Sequence, residues 1–412
     1  MWNLIALIAL ALAAPADVTA TKLDGTSETG QLESWSGKEI VLATQSGPQT
    51  VPTGELLEIK FANPSVQEST GPHVELVDGT RLPLIDYSTS KEQAVLQLVL
   101  PPPADPESLT APVEKVRAVQ LQRLEPEAVP QWEEIRGLNL PSDVVVVAKR
   151  GGKSLDHLEC VVGAITQDEV ELTVDDNNMK VPRSKVAGVI YYRSDEPRPA
   201  AAVVTGVDGL RIAASDVELR GESLRVTTES GLQLAWPISG LVSVDMSAGK
   251  VAFLGDLKPA SVKWQPLVGL PAAATRAIQF GQPHYNRSAG GGELALAYRD
   301  ANPSVTSPEI KTFAKGLALR SRSEVIYRLP AGYNRVLAEA GIDPNDAASG
   351  NVHLEVYGDD EQLLEKSIDG SDAPVALDLD IAGVGRLKIV VDYGENLDTG
   401  DWLNLCNARI VK

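Results

Sequence analysis

Along most of the chain, apolar residues recur at every second position. In "APVALDLDI", Val375, Leu377, Leu379 and Ile381 fall on one side and Ala376, Asp378 and Asp380 on the other. That alternation predicts a strand with one buried and one wet face. "NVHLEVY" (Val352, Leu354, Val356) and "RLKIVV" (Leu387, Ile389, Val391) repeat it, and helix-period stretches are scarce. The fold class read from the pattern is all-β.

The first 250 residues fall into four weakly similar units, each ending in an alternating strand led in by a proline: "VPTGELLEIKFA", "APVEKVRAVQLQ", "VPRSKVAGVIYY" and "WPISGLVSVDM". Proline has no ladder N–H to give, so it suits an edge or the turn before a strand. Units of roughly 50 to 70 residues are long enough to curl into a small sheet or barrel, and SH3-like or Sm-like barrels are the expected shape. The units are placed at 21–62, 73–124, 143–193 and 201–254. Polar, proline-bearing connectors separate them at 63–72 and 193–200, and a longer one at 124–142 has room for a single helical turn. "LPPPADPESLTAP" (100–112) reads as a stiff loop, with recognition by a polyproline-binding partner as the alternative.

The run Leu4 to Ala14, "LIALIALALAA", is 11 residues long. It is too short to span a bilayer and the right length for the hydrophobic part of a secretory leader. Residues 1–20 are therefore expected to be a signal peptide, and the protein to be secreted, periplasmic or in the cell envelope. No Lys or Arg precedes the run, and a short uncleaved anchor or a buried strand is the competing reading.

Charge narrows the partners. With 37 Lys+Arg against 56 Asp+Glu, net −19, the chain opposes phosphate-rich ligands, which excludes nucleic acid as a partner. Cys160 and Cys406 lie far apart, nothing in their spacing argues for a disulfide or a metal site, and buried free thiols are the expected state. The four histidines, His73, His157, His284 and His353, show no metal-ligand spacing. There is no Gly-x-Ser-x-Gly elbow and no phosphate-binding glycine loop, so no catalytic site is expected.

Aromatic residues are lopsided: 8 of 19 occur in residues 1–250 and 11 in the remaining 162. Rings serve sandwich cores and also stack on the C–H face of a pyranose. That makes the C-terminal third the place to seek a binding function.

"KGLALRSRSEVIYRL" (Gly316, Ser323, Tyr327, Leu329) is followed by "GYNRVLAEAGID" (Tyr333, Gly341, Ile342, Asp343). "GNVHLEVYGDD", "LDLDIAGVGRLKIVVDYG" and "DWLNLCNARIV" (Asp401, Asn407, Ala408, Arg409) complete the order. From about Asp256 to Lys412 this succession resembles the NPCBM family of carbohydrate-binding modules. The resemblance implies a galactose-binding-like β-sandwich (jelly roll) over 256–412 that binds a glycan without catalysis, of a kind often attached to secreted bacterial proteins. Arg320 stands where many relatives have histidine, Asp359-Asp360 where they have Asp-Gly, and Leu405 where tryptophan is common, with Trp402 three residues earlier.

Sugar recognition needs an apolar platform and planar hydrogen-bonding groups. Arg320, Tyr333, Asn334, Asp359, Trp402 and Asn404, near predicted strand ends or loops, are the candidates. "DYGENLDTGDW" clusters Asp392, Glu395, Asp398 and Asp401. Sandwich modules related to the family often carry a structural calcium, for which Asp398 and Asp401 are the candidate ligands. The expected function is a secreted, non-catalytic glycan binder. The alternatives are an envelope scaffold that contacts proteins through a sandwich no longer able to bind sugar, and an accessory chain of a glycoside hydrolase.

Overall fold

A computed structural model describes residues 16–62, 70–90, 92–101, 107–138, 140–194, 200–268, 280–299 and 307–412. The chain divides into two compact units at Ala248/Gly249.

The first unit contains one five-strand arrangement four times over. In each copy the first strand lies between the second and the fifth, and the second, third and fourth follow as a meander. The same pairings recur in the second copy, the third and the fourth. The prolines explain the joint between fourth and fifth strands. Pro52, Pro112, Pro182 and Pro237 each end a fourth strand opposite the first residue of the third, and each leads into a 3-10 turn. Proline's locked φ and missing N–H stop the ladder there, and the chain turns before the fifth strand begins.

The copies do not remain separate beads. The fifth strands of the first and fourth copies, Leu56–Phe61 and Leu241–Asp245, pair antiparallel, as do Val116–Gln120 and Val186–Ile190 of the second and third. One apolar core runs through all four, from Ile40 and Ile59 to Leu96, Val189 and Val244. The fifth strands of the second and third copies are buried on both faces, because Val116, Val119, Val186 and Val189 join the common core while Ala118 and Ala187 pack in a separate cluster with Trp132. Gly188 is required there: a Cβ would sit 2.4 Å from the carbonyl oxygen of Val119 and 2.6 Å from the Trp132 ring.

Three sequence expectations are corrected in this unit. The strand Asp17–Lys22 pairs with Ser27–Trp35 and Leu56–Phe61, and its Val18 and Ala20 are 1% and 0% exposed. The first copy thus begins within the expected 1–20 leader, whose apolar run lies outside the described residues. The 124–142 connector holds an eight-residue helix, Val129–Arg136, not a single turn. Trp132 and Ile135, three apart and so on one face, bury together against Val144 and Val146. Finally, the proline-rich run 100–112 is not a loop throughout: Glu107–Pro112 is a strand paired antiparallel with Gln93–Leu98. Pro101 packs against Gly240, where a Cβ would meet its Cγ at 2.4 Å; residues 102–106 lie outside the described residues.

In the second unit two antiparallel sheets enclose one core. The first runs His284–Tyr285, Gly316–Arg320, Trp402–Val411, Arg335–Ile342, Val375–Asp380. The second runs Ser261–Trp264, Ser323–Arg328, Arg386–Tyr393, Asn351–Gly358, Glu361–Asp369. Val251–Phe253 pairs with Arg409–Val411, and Leu254 is buried in this core, so these residues belong here and not to the fourth copy, where the sequence pattern placed them. In the last strand Leu403 and Leu405 face inward, while Trp402 and Cys406 face outward beneath a separate hairpin of Leu294–Tyr298 and Glu309–Phe313. Asn407, at φ +50, accompanies a register shift that returns Ala408 and Ile410 to the core. Among the described residues, no helix is long and apolar enough to cross a membrane.

Candidate functional site

The antiparallel register brings Arg320, at the end of Gly316–Arg320, directly opposite Trp402, at the start of the last strand. Around this pair the chain gathers rings. The Arg320 guanidinium carbon lies 5.0 Å from the centroid of Phe280 and 5.8 Å from that of Trp402. Phe280 and His284 meet Trp402 edge-on at 5.9 and 5.3 Å. Trp264 lies flat against Gly281, where a Cβ would sit 1.9 Å from its ring, and its Nε1–H donates to Ser321 O at 3.0 Å. Of these rings Phe280 is the most open, 57% exposed, whereas Trp402 is 3% exposed.

Arg320 is fixed as well as stacked. Its Nη2 donates to the carbonyl of Asp398 at 2.9 Å and lies 3.7 Å from that residue's carboxylate. Beneath it, the buried Asp401 carboxylate accepts from Ser321 Oγ at 2.7 Å and from the Asn351 N–H at 3.2 Å. Burial raises the Asp401 carboxyl and outweighs these donors and Arg320. Burial, with Asp343 beside it, likewise raises Asp346. His284 is lowered, first by burial and then by Arg287, so its ring is neutral near pH 7. An open ring face beside guanidinium donors and carboxylate acceptors is suited to a polyol.

The candidates from sequence divide between the two ends of the sandwich. Arg320 and Trp402 share one end with Asp398 and Asp401. Tyr333 and Asn334 lie at the other, where the Asn334 N–H donates to Val411 O. Trp402 and Val411 are the ends of a ten-residue strand, about 30 Å apart at roughly 3.3 Å per residue. Asp359, at φ +52, follows Gly358 at the far end of the strand whose first residue, Asn351, touches Asp401. One site therefore cannot use all six.

Asn404 is also corrected. It lies inside the last strand rather than near its end and is fully buried, its Nδ2 donating to Ala295 O at 3.0 Å and Asp343 Oδ2 at 3.1 Å. It anchors the covering hairpin, a layer that strand alternation cannot reveal. The calcium expectation finds no support: among the described residues no group of three or more His, Cys, Asp or Glu could hold a metal ion. Asp401 is occupied by its two donors, Asp398 faces Arg320, and Asp392 pairs with Arg322 at 3.3 Å. Sequence reasoning missed Phe280 and His284; the aromatic excess of the C-terminal third was the signal that could have found them.

Residues 270–411 match the model of the NPCBM/NEW2 domain family. No curated protein matches the chain. Among solved structures it is similar to the CBM51 module of Clostridium perfringens GH95 in complex with methyl-galactose: 21% identity, TM-score 0.33, covering 39% of this chain and 99% of that one. It is also similar to the CBM51-2 (in complex with GlcNAc) and INT domains of Clostridium perfringens ZmpB, at 19% identity and TM-score 0.33, covering 59% of this chain and 43% of that one. A third is the tandem CBM51 modules of a family 98 glycoside hydrolase from Streptococcus pneumoniae, at 11% identity and TM-score 0.32, covering 96% and 88%. These comparisons identify no catalytic domain in the chain. The sequence match over two sheets that share one core gives the conclusion that the C-terminal third, residues 270–411, is an NPCBM/NEW2 domain.

Proposed function

We propose that this protein binds a glycan, without breaking a bond in it, through the end of the sandwich that carries Arg320, Phe280 and Trp402, and that it acts outside the cytoplasm on a cell-envelope or secreted glycan. The observation that carries the reading is the Phe280 ring, 57% exposed and backed by Arg320 and Trp402. It offers a sugar a C–H-binding face beside fixed donors. Export rests on the apolar run Leu4 to Ala14. The four N-terminal copies are read as SH3-like or Sm-like barrels serving as a spacer, a reading supported by the first strand's pairing with both second and fifth and by the 3-10 turn before the fifth. One shallow site buries few atoms, so avidity through repeated copies would strengthen binding.

A glycan array probed with the full chain and with Phe280→Ala tests this. Selective binding by the parent, lost in a variant of unchanged Tm, is expected; absence of binding by the folded parent would reject the reading. Trp402→Ala is the wrong probe. That ring is 3% exposed, and its removal costs about 3–5 kcal/mol of packing, confounding binding with folding.

A second reading, a protein-contacting scaffold, is favoured by the burial of Trp402 and Asn404 and by the strand Asn177–Pro182. That strand pairs on one side only among the described residues and is mostly exposed.

A further inference from the structure

The loop 394–400 is clamped from several sides. Gly394 bridges Leu397, the Glu395 N–H donates to Asn351 Oδ1 at 3.2 Å, and Asn396 Nδ2 donates to Ser349 O. The Asp398 carbonyl accepts from Arg320, and the Trp402 N–H donates to Gly400 O at 2.8 Å. The glycines at its ends are closely packed: a Cβ on Gly394 would sit 1.8 Å from Asn351 Oδ1, and one on Gly400 2.5 Å from Ser349 Oγ.

From this rigid loop a leucine projects into solvent. Leu397 is 62% exposed and has φ +70, a left-handed conformation that leucine adopts rarely and at a cost. Glycine or asparagine would fill the position more easily. The residue gains nothing there from core packing, and it directly precedes Asp398, whose carbonyl holds Arg320. The charges around Arg320 restrict what could lie against it. Asp346, Asp398 and Asp401 all interact electrostatically with its guanidinium, so the Arg320 charge is already faced by carboxylates and an anionic sugar would have to lie against them.

We propose that Leu397 is a specificity-determining residue of the glycan site, packing against the methyl group of an uncharged sugar, either an N-acetyl or a 6-deoxy substituent. The inference rests on the glycan-binding reading and deepens it.

The test is titration of the full chain, parent and Leu397→Gly, with paired sugars: N-acetylglucosamine against N-formylglucosamine, N-acetylgalactosamine against N-formylgalactosamine, and L-fucose against L-galactose, with galacturonate against galactose as the charged arm. The parent is expected to prefer the methyl-bearing member of at least one pair by about fourfold, the worth of one buried methyl. Which pair shows the preference separates the N-acetyl source from the 6-deoxy one. Leu397→Gly should lose the preference with a Tm no lower than the parent's, because glycine accepts φ +70 without strain; a purely structural leucine would lower Tm instead. Equal binding within every pair, a preference retained by the variant, or galacturonate bound more tightly than galactose would overturn the inference and leave glycan binding standing. A parent that binds none of these sugars and no array glycan would overturn both.

Discussion

Acidification from pH 7 to pH 5 should weaken the N-terminal unit through one buried imidazole. His73 is 5% exposed and lies edge-on to Trp132, with ring centroids 6.5 Å apart. Its Nδ1 is 3.1 Å from the Gly71 carbonyl and 3.3 Å from Arg81 Nη2. The carbonyl requires Nδ1–H, so the Arg81 contact is no hydrogen bond and only opposes a positive charge. Burial first, then Arg81, lowers His73 from 6.5 to about 4. In the unfolded chain the ring takes its proton near pH 6.5; in the folded unit it resists until about pH 4. The unfolded state therefore binds more protons in this window, and stability falls as pH falls. The shift corresponds to about 3 kcal/mol in all, with about 2 kcal/mol of it lost by pH 5, before most carboxylates titrate. Urea unfolding of the full chain, followed by hydrogen exchange at strand His73–Leu76, should show this loss in the parent and its absence in His73→Asn. Equal losses in parent and variant between pH 7 and pH 5 would refute the argument. The same curve sets the pH range in which glycan binding can be measured on a folded protein.

Gly188→Ala should destabilise the N-terminal unit by about 1–3 kcal/mol, because the added methyl meets a backbone oxygen and an indole that is itself buried; thermal unfolding checks it, and an unchanged Tm would contradict the packing described. Cys160 and Cys406 are free and buried, and burial pushes their thiols up to about 11 and about 12. Neither should react with a disulfide-exchange reagent at pH 8 in the native protein, and both should react after denaturation.

Much of the fold was legible because strand periodicity is local. Val375, Leu377 and Leu379 declared a half-buried strand by alternation alone, and the prolines at 52, 112, 182 and 237 marked the joint that recurs in each N-terminal copy. The NPCBM/NEW2 domain was likewise legible, since ordered segments with side-chain patterns survive in linear sequence. Pairing partners were not, because alternation tells which face of a strand is buried but not what covers it. The same limit hid the hairpin over Asn404 and the docking of the copies through their fifth strands. Site geometry is the most non-local property of all. The sequence by itself determined an acidic, all-β chain with four repeats and a C-terminal NPCBM/NEW2 domain. Only the tertiary structure, by closing the sandwich, decided that Arg320 stacks with Phe280 and Trp402 at one end while Tyr333, Asn334 and Asp359 lie at the other.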